Sequence, residues 1–298
     1  MSIRVTSCVA LTLSLLVPAA ARADDTYDLR AKVGRKSTVG ERYRLTEDEV
    51  GKMEQSVTRN GQAMPGPKKD TAWTRTVVEE IEAVGADGAA TKKKRTYEAF
   101  KDEKGADVAV TGVVVVLTRA EGEKGHWSFA PAEGSAPVPE QLTRVLEKEM
   151  KGENERVDKG ATEAMINEAM FPAEPQAAGA TWPVDLAKAA PMIGLDIADV
   201  DVETSKASGT ITGVEEKDGK RWVKARVTMN LMLIRMQGRP APQPVPMELT
   251  FDFAVPTDDC VDRDFHMTQH LDMTMAPQPG VSAHVLVHNE RTERRSTP

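Results

Sequence analysis

The chain has 298 residues, of which 39 are Lys or Arg and 46 are Asp or Glu, so its formal net charge is −7. An acidic chain favours solubility and argues against binding to the phosphate backbone of nucleic acids, which needs a basic surface. The sequence contains only two cysteines, Cys8 and Cys260, which excludes the class of small secreted domains held together by several disulfides.

The first 23 residues have the three parts of a secretory signal peptide. Arg4 gives a basic start, residues 9–17 form an apolar run, and Ala21-Arg22-Ala23 is an Ala-x-Ala cleavage site. The run is shorter than the roughly 20 residues that cross a bilayer, and no comparable run follows it. We therefore expect cleavage near Ala23 and an exported protein, periplasmic or extracellular, whose mature chain has no membrane span.

Strands are predicted in two regions by the alternation of apolar and polar residues. Every odd residue from Leu249 to Val255 is apolar, which is typical of a sheet with one face in solvent. Two other segments, residues 108–117 and 229–236, are apolar on both faces. Strands of that kind must be covered on both sides, either by protein or by a ligand.

Between the two strand regions the apolar spacing becomes helical. Apolar residues recur at intervals of three and four after Pro139 and again after Gly160. This pattern predicts two amphipathic helices, residues 139–150 and 161–171, that lie on a sheet.

Together these signals predict a mainly β, α+β fold. We expect a large, curved antiparallel sheet or half-barrel that is partly covered by the two helices. The expected organisation is a signal peptide (1–23) and one β-rich domain (24–298), with β regions 24–130 and 176–298 on either side of a helical insert, 131–175.

Turn residues predict how several strands connect. Asp87-Gly88 and Asp218-Gly219 each lie between strand segments, and Asp-Gly supplies the positive φ angles of a tight hairpin turn. The proline-rich segments 60–67 and 237–244 are interpreted as longer connections between strands.

A terminal hairpin is predicted to join residues 264–275 to residues 283–292. Its register follows from burial, because a slip of one residue would turn every apolar side chain to solvent. The register that keeps one face apolar pairs residue 275 with 283, residue 273 with 285 and residue 271 with 287. It also pairs residue 270 with 288 and residue 274 with 284. This register directs Phe265, Met267, Leu271, Met273 and Met275 inward and His266 and His270 outward.

Four short pieces of the sequence resemble a known family. They are Gly40-Glu41-Arg42-Tyr43-Arg44, residues 84–90, residues 171–182 and residues 213–219. On these pieces the chain is similar to a family of uncharacterised exported bacterial proteins, a domain of unknown function with a large curved antiparallel sheet. The resemblance implies export and that sheet, and it implies no activity. The sheet's shape is similar to that of exported lipid-carrying half-barrels.

No catalytic motif stands out in the sequence. The nearest approach to a Gly-x-Ser-x-Gly nucleophile turn, residues 133–137, lacks the second glycine. The His-Glu-x-x-His spacing of zinc proteases and a glycine-rich phosphate loop are also absent. Carboxylate pairs such as Glu79-Glu80 and the basic run 92–95 are interpreted as solvated parts of strands. We therefore expect a non-enzymatic protein without a cofactor.

Binding is the function that the apolar strands favour. The residues expected to line a ligand site lie on the two doubly apolar segments: Val114, Val116, Met232, Ile234 and Met236. The expected partner is an apolar small molecule or another envelope protein. Sealed core explains the same pattern, so a purely structural envelope protein is an alternative.

A metal-binding module is the other alternative. Four of the five histidines fall between residues 266 and 288, among several methionines, and exported copper proteins use His and Met together. The hairpin register places His270 opposite His288, with Asp272 diagonal to His288 as a third ligand. Directly opposed β-carbons lie about 5 Å apart, close enough for two imidazoles to meet one ion.

Overall fold

The computed structural model describes residues 25–120, 122, 125–160, 163–236, 239–258, 261–278 and 281–298. The predicted signal peptide and Cys260 lie outside the described residues. Within them, no helix is long and apolar enough to cross a membrane.

The described residues form thirteen strands and four helices. The strands are β1 Thr26–Tyr27, β2 Arg42–Arg59, β3 Gln62–Val84, β4 Ala90–Lys101, β5 Val114–Arg119, β6 Trp127–Pro131, β7 Gln176–Ala177, β8 Thr181–Pro183, β9 Lys206–Lys217, β10 Lys220–Met236, β11 Arg239–Pro256, β12 Arg263–Gln278 and β13 Val281–Ser296. The helices are α1 Leu29–Val33, α2 Glu140–Asp158, α3 Glu163–Met170 and α4 Leu186–Ala189. Two short 3-10 turns, Ala190–Ile193 and Ile197–Asp199, follow α4.

Eleven strands form one antiparallel sheet. Their order is β6-β5-β4-β3-β2-β13-β12-β11-β10-β9-β8, and β1 pairs with β7 in a separate two-stranded sheet. The first long strand, β2, pairs from Arg44 to Arg59 with the whole length of the last strand, β13. This pairing joins the two predicted β regions into a single sheet. The predicted mainly β, α+β class with a large antiparallel sheet is confirmed.

The helices pack on one side of this sheet, which we call the inner face. Helix α2 buries an apolar stripe, Leu142, Val145, Leu146 and Met150, in a core cluster with side chains from β2 to β5. At the other end of the sheet, Ala169, Met170 and Phe171 join a second cluster that contains apolar side chains from β9 to β13. Two helix-covered clusters therefore lie on the inner face, one toward each end of the strand order.

The hairpin predictions are confirmed in position, but the proline-rich connections are not. Asp218 and Gly219, with φ of 54° and 71°, form the two-residue turn between β9 and β10. The prolines of segments 60–67 and 239–244 lie inside β3 and β11, so the prediction of long connections was wrong. Pro65 and Pro240 each pair at a register shift. Proline has no backbone N–H to donate, and this loss costs least where the pairing between two strands is already interrupted.

The terminal hairpin has the predicted register. Residues 275, 273 and 271 pair with 283, 285 and 287, and His270 pairs with His288. The strands are longer than predicted, because Gln278 still pairs with Val281. Burial confirms the predicted faces: Met273 and Val285 are buried in the second cluster, while Phe265, Met267 and Leu271 pack against it.

Candidate ligand-binding site on the inner face

The structure does not bring together the five apolar residues that the sequence singles out for ligand binding. Val114 and Val116 are half-buried in β5, and the residues between and beside them are buried in the inner-face core. Met232 and the exposed Ile234 alternate with buried core residues in β10, so they also point to the outer face. Met236 packs against the second cluster. Six strands lie between β5 and β10. At ~4.8 Å per strand, β5 and β10 are therefore about 34 Å apart across the sheet.

The predicted metal ligands are only partly brought together. His270 and His288 are directly opposed on the outer face, as predicted. Asp272, however, lies 2.7 Å from Nε2 of His284, so its carboxylate is engaged away from His288. Within the described part of the chain, no group of three His, Cys, Asp or Glu side chains could hold a metal ion. Metal binding by the opposed histidines stays a prediction.

A stretch of half-buried apolar side chains borders the second cluster on the side that faces the first. It belongs to the three central strands β2, β13 and β12, and it consists of Met53, Val287, Leu271, Met267 and Phe265, which are all half-buried. We call these five side chains the apolar strip. Val287 is directly opposite both Met53 and Leu271, so these three residues are adjacent across three strands. On the same face of β12, Gln269 lies between Leu271 and Met267 and accepts a hydrogen bond from Asn289 at 2.8 Å, so one polar pair divides the strip. Partly exposed apolar side chains that lie next to one another make this stretch a candidate binding surface.

An aromatic cluster connects the strip to the helix-covered core. The ring centroids of Phe171 and Phe253 lie 5.1 Å apart, and those of Phe253 and Phe265 lie 5.3 Å apart. The contact between Phe171 and Phe253 is edge-to-face, a favourable aromatic geometry. Phe265 is directly opposite Glu293 in β13. The inner face therefore changes from apolar to charged between one strand and the next.

The charged part of the inner face begins with two buried arginines that hold α2 on the sheet. Nε of Arg75 donates to Glu47 at 2.7 Å, and its Nη1 donates to Glu149 of α2 at 2.6 Å. Nε of Arg95 donates to Glu79 at 2.6 Å, and its Nη1 lies 2.9 Å from Oε1 of Glu149. Glu149 therefore bridges two arginines from neighbouring strands and ties the helix to β3 and β4.

The same ionic contacts continue across β13 to β12. Nη2 of Arg291 lies 2.5 Å from Oε1 of Glu47. Glu293 accepts hydrogen bonds from Arg263 at 3.0 Å and from Arg295 at 2.8 Å. We call the connected set the ion network; it consists of Glu47, Arg75, Glu79, Lys93, Arg95, Glu149, Arg263, Arg291, Glu293 and Arg295.

Three carboxylates of the ion network, Glu79, Glu149 and Glu293, stay ionised although they are largely buried. Burial by itself raises the pKa of Glu79, but Lys93 and Arg95 together hold that pKa well below its usual value. Burial likewise opposes ionisation of Glu293, and the neighbouring arginines, Arg295 first, lower its pKa. The pKa of Glu149 is lowered against the effect of burial by Arg75 and Arg95. The charged form of each carboxylate is therefore the one that the fold stabilises.

The lowered pKa values predict acid sensitivity. A carboxyl whose pKa is depressed in the folded state stabilises the protein fully above its unfolded pKa, about 4.3 for Glu, and loses that contribution as the pH falls through the folded value. We expect the denaturation midpoint to be level from about pH 7 to 5 and to fall steadily below about pH 4.5. Urea titrations across this range measure it. Glu293→Gln should show a shallower decline, and a midpoint that does not change down to about pH 3 would contradict this role.

Sequence reasoning missed the ion network although a signal for it was present. Glu79 and Arg95 were interpreted as solvated, but their side chains are 1% and 6% exposed. Each of these side chains is an even number of residues away from a buried apolar residue of its own strand, as Arg75 and Glu79 are from Val77. The same spacing holds for Arg95 and for Glu47. The alternation of side chains along each strand therefore predicts that these charges face inward. Because the set contains both carboxylates and arginines, it also predicts that they pair.

A shallow groove of about 550 Å³ lies between α2 and the edge strand β6. Trp127, Phe129 and Met150 contribute its apolar lining. Asn154 exchanges two hydrogen bonds with the backbone of Trp127 at 2.6 and 3.1 Å, which fastens α2 to this edge. These contacts explain the groove as the seam between helix and sheet.

Comparisons with known proteins give little guidance. No family model matches this chain, and no curated protein matches it. Among solved structures, one that concerns lipid–protein interactions in lipovitellin is similar over 88% of this chain, with 9% sequence identity and a TM-score of 0.36. The similar region covers 26% of the lipovitellin chain, so this chain spans about a quarter of its length. At that TM-score the likeness supports no functional conclusion.

Proposed function

We propose that the protein acts after export as a non-enzymatic binding protein that holds an apolar ligand on the apolar strip. The supporting observation is the incomplete burial of five apolar side chains at the edge of the second cluster on the inner face: Met53, Val287, Leu271, Met267 and Phe265. A ligand laid along these side chains would complete the burial that the helices provide on either side.

The expected affinity is low, because the five side chains are already partly covered. Each 100 Å² of apolar surface that a ligand buries contributes about 2.5 kcal/mol before the cost of association is subtracted. The expected dissociation constant is therefore weaker than 1 μM, which corresponds to about 8 kcal/mol.

Binding of the neutral apolar dye Nile red tests the proposal. We expect the double variant Met267→Gln/Leu271→Gln to weaken dye binding by about tenfold or more, because a buried amide without a partner opposes an apolar ligand. The matched control is Thr268→Gln, which lies between these positions on the opposite face of β12 and should leave binding unchanged. A fluorescence titration of natively folded protein gives the affinities, with the denaturation midpoint as the check of folding.

Two outcomes would overturn the proposal. One is equal dye binding by wild type and the double variant, or by the single variant Met267→Gln if the double variant does not fold. The other is loss of binding on Ile234→Gln with no effect of the strip variants. That result would place the ligand at the outer-face residues singled out from the sequence.

A further inference from the structure

Gly51 lies on the inner face in the middle of the long strand β2, an even number of residues from the inward Leu45 and Met53. Glycine weakens a strand interior, and it often marks a place where another group approaches the backbone closely. At Gly209 of β9 that group belongs to the chain itself, because the ring of Trp182 occupies the space of the missing side chain.

At Gly51 two oxygen atoms border the space of the missing side chain. A Cβ at this position would lie 2.8 Å from Oγ1 of Thr71 and 3.1 Å from Oδ1 of Asn289. Apart from its chain neighbours, no other heavy atom of the described residues would lie within 4 Å. Thr71 and Asn289 are directly opposite Gly51 in β3 and β13. We call this space the Gly51 notch: bare backbone between two oxygens.

The orientation of the Asn289 amide is set by its neighbours across the strands. Gln269 donates from Nε2 to the sulfur of Met247 at 3.4 Å, and Asn289 donates from Nδ2 to Oε1 of Gln269 at 2.8 Å. A thioether sulfur can only accept, so Gln269 turns its amino group to Met247 and its oxygen to Asn289. Asn289 then uses its amino group on Gln269, which leaves its Oδ1 as an acceptor at the notch.

Both oxygens of the notch have hydrogen-bonding capacity left. Within the described part of the chain, neither Oδ1 of Asn289 nor Oγ1 of Thr71 has a hydrogen-bond partner. Both are open to solvent, so a ligand can reach them. An amide oxygen only accepts, whereas a hydroxyl both donates and accepts. A ligand group that fits both must donate to Asn289 and accept from Thr71, as a hydroxyl does.

The Gly51 notch adjoins the apolar strip. The next inward residues of β2 and β13 on one side are Met53 and Val287, which are directly opposite each other and belong to the strip. On the other side of the notch, Glu49 is directly opposite Arg291 of the ion network. The notch therefore lies at the boundary between the apolar and the charged parts of the inner face.

We infer that the ligand is an apolar molecule with one hydroxyl group, which binds in the Gly51 notch while the apolar body covers the strip. This inference rests on the proposed function and names the ligand class for the same site. A carboxylate or phosphate has no hydrogen to donate to Oδ1 of Asn289. An ammonium group could donate, but it costs far more than a hydroxyl to remove from water.

Octanol and heptyl methyl ether test this inference, because they contain the same atoms and only the alcohol can donate a hydrogen bond. We expect octanol to displace Nile red from the wild-type protein about fivefold more tightly than the ether, the contribution of one ordinary hydrogen bond. Octanoate and octylammonium should both bind more weakly than octanol. Tighter binding of either ion would overturn the assignment of a hydroxyl group.

Gly51→Ala closes the notch, because its methyl group would lie within 3.1 Å of both oxygens. It should reduce the preference for octanol to less than about twofold and leave the binding of Nile red unchanged. Alanine costs less conformational entropy than glycine in a strand, so the fold should persist. The matched control is Gly213→Ala in β9, where no heavy atom of the described residues lies within 4 Å of the added methyl group. It should change neither affinity.

Two further variants assign the roles of the oxygens. Asn289→Leu removes the acceptor and should abolish the preference for octanol, which keeps the test decisive if Gly51→Ala does not fold. Thr71→Val removes the donor with little change of shape. It should weaken octanol and the ether alike, by about threefold, because both ligands can accept a hydrogen bond from Thr71.

The outcomes separate this inference from the proposed function. Equal displacement of Nile red by octanol and the ether, or a preference that neither Gly51→Ala nor Asn289→Leu reduces, overturns the hydroxyl inference and leaves apolar binding intact. Wild-type protein that does not bind Nile red overturns the proposed function itself.

Discussion

Replacing Arg75 with methionine is expected to lower the free energy of unfolding by about 3–5 kcal/mol, the usual cost of breaking a buried ion pair from one side. The Arg75 side chain is 2% exposed and binds both Glu47 and Glu149. Methionine fills similar space, so the loss comes mainly from the two carboxylates, which remain in the interior with one fewer cation. Urea denaturation followed by circular dichroism measures this change.

The control for Arg75→Met is Arg226→Met on the outer face. Arg226 binds Asp252 with two hydrogen bonds, but its side chain is 55% exposed, so water replaces the lost contact. We expect a much smaller loss for this variant. If both variants lower stability by the same small amount, the ion network does not hold the inner face together.

Shortening Leu146 to alanine is expected to cost about 2–5 kcal/mol, the range for truncating a fully buried leucine. Leu146 is 0% exposed in the cluster that joins α2 to β2–β5. Because the sheet beneath it is wide and fixed by strand pairing, we expect little collapse around the cavity and a cost toward the upper end of that range.

Glu147→Ala is the matched control for the core variant, because Glu147 is the adjacent, exposed residue of the same helix. It should change the denaturation midpoint little. A cost below about 1 kcal/mol for Leu146→Ala would contradict the packing of α2 on the inner face.

The parts of the fold that were predictable from sequence are the local ones. The terminal hairpin and its register followed from alternation and burial within about thirty residues, and the two helices followed from their apolar stripes. The pairing of β2 with β13 was not predictable, because it joins residues more than 200 positions apart and leaves no local signal. The eleven-strand order depends on that one pairing.

The candidate site was predictable only in part. The inward direction of Phe265, Met267 and Leu271 followed from alternation, yet their partial exposure depends on where the helices end, which periodicity does not reveal. Residues such as Val116 and Met232 were chosen because their strands are apolar on both faces. That pattern does not tell which face the helices leave uncovered.

Native mass spectrometry of protein purified without detergent from its own host tests most directly whether the inner face holds an apolar ligand. We predict a small-molecule adduct on wild-type protein that is present on Thr268→Gln and lost from Met267→Gln/Leu271→Gln. A wild-type spectrum that shows only the mass of the bare chain, from protein that also fails to bind Nile red, would contradict this account.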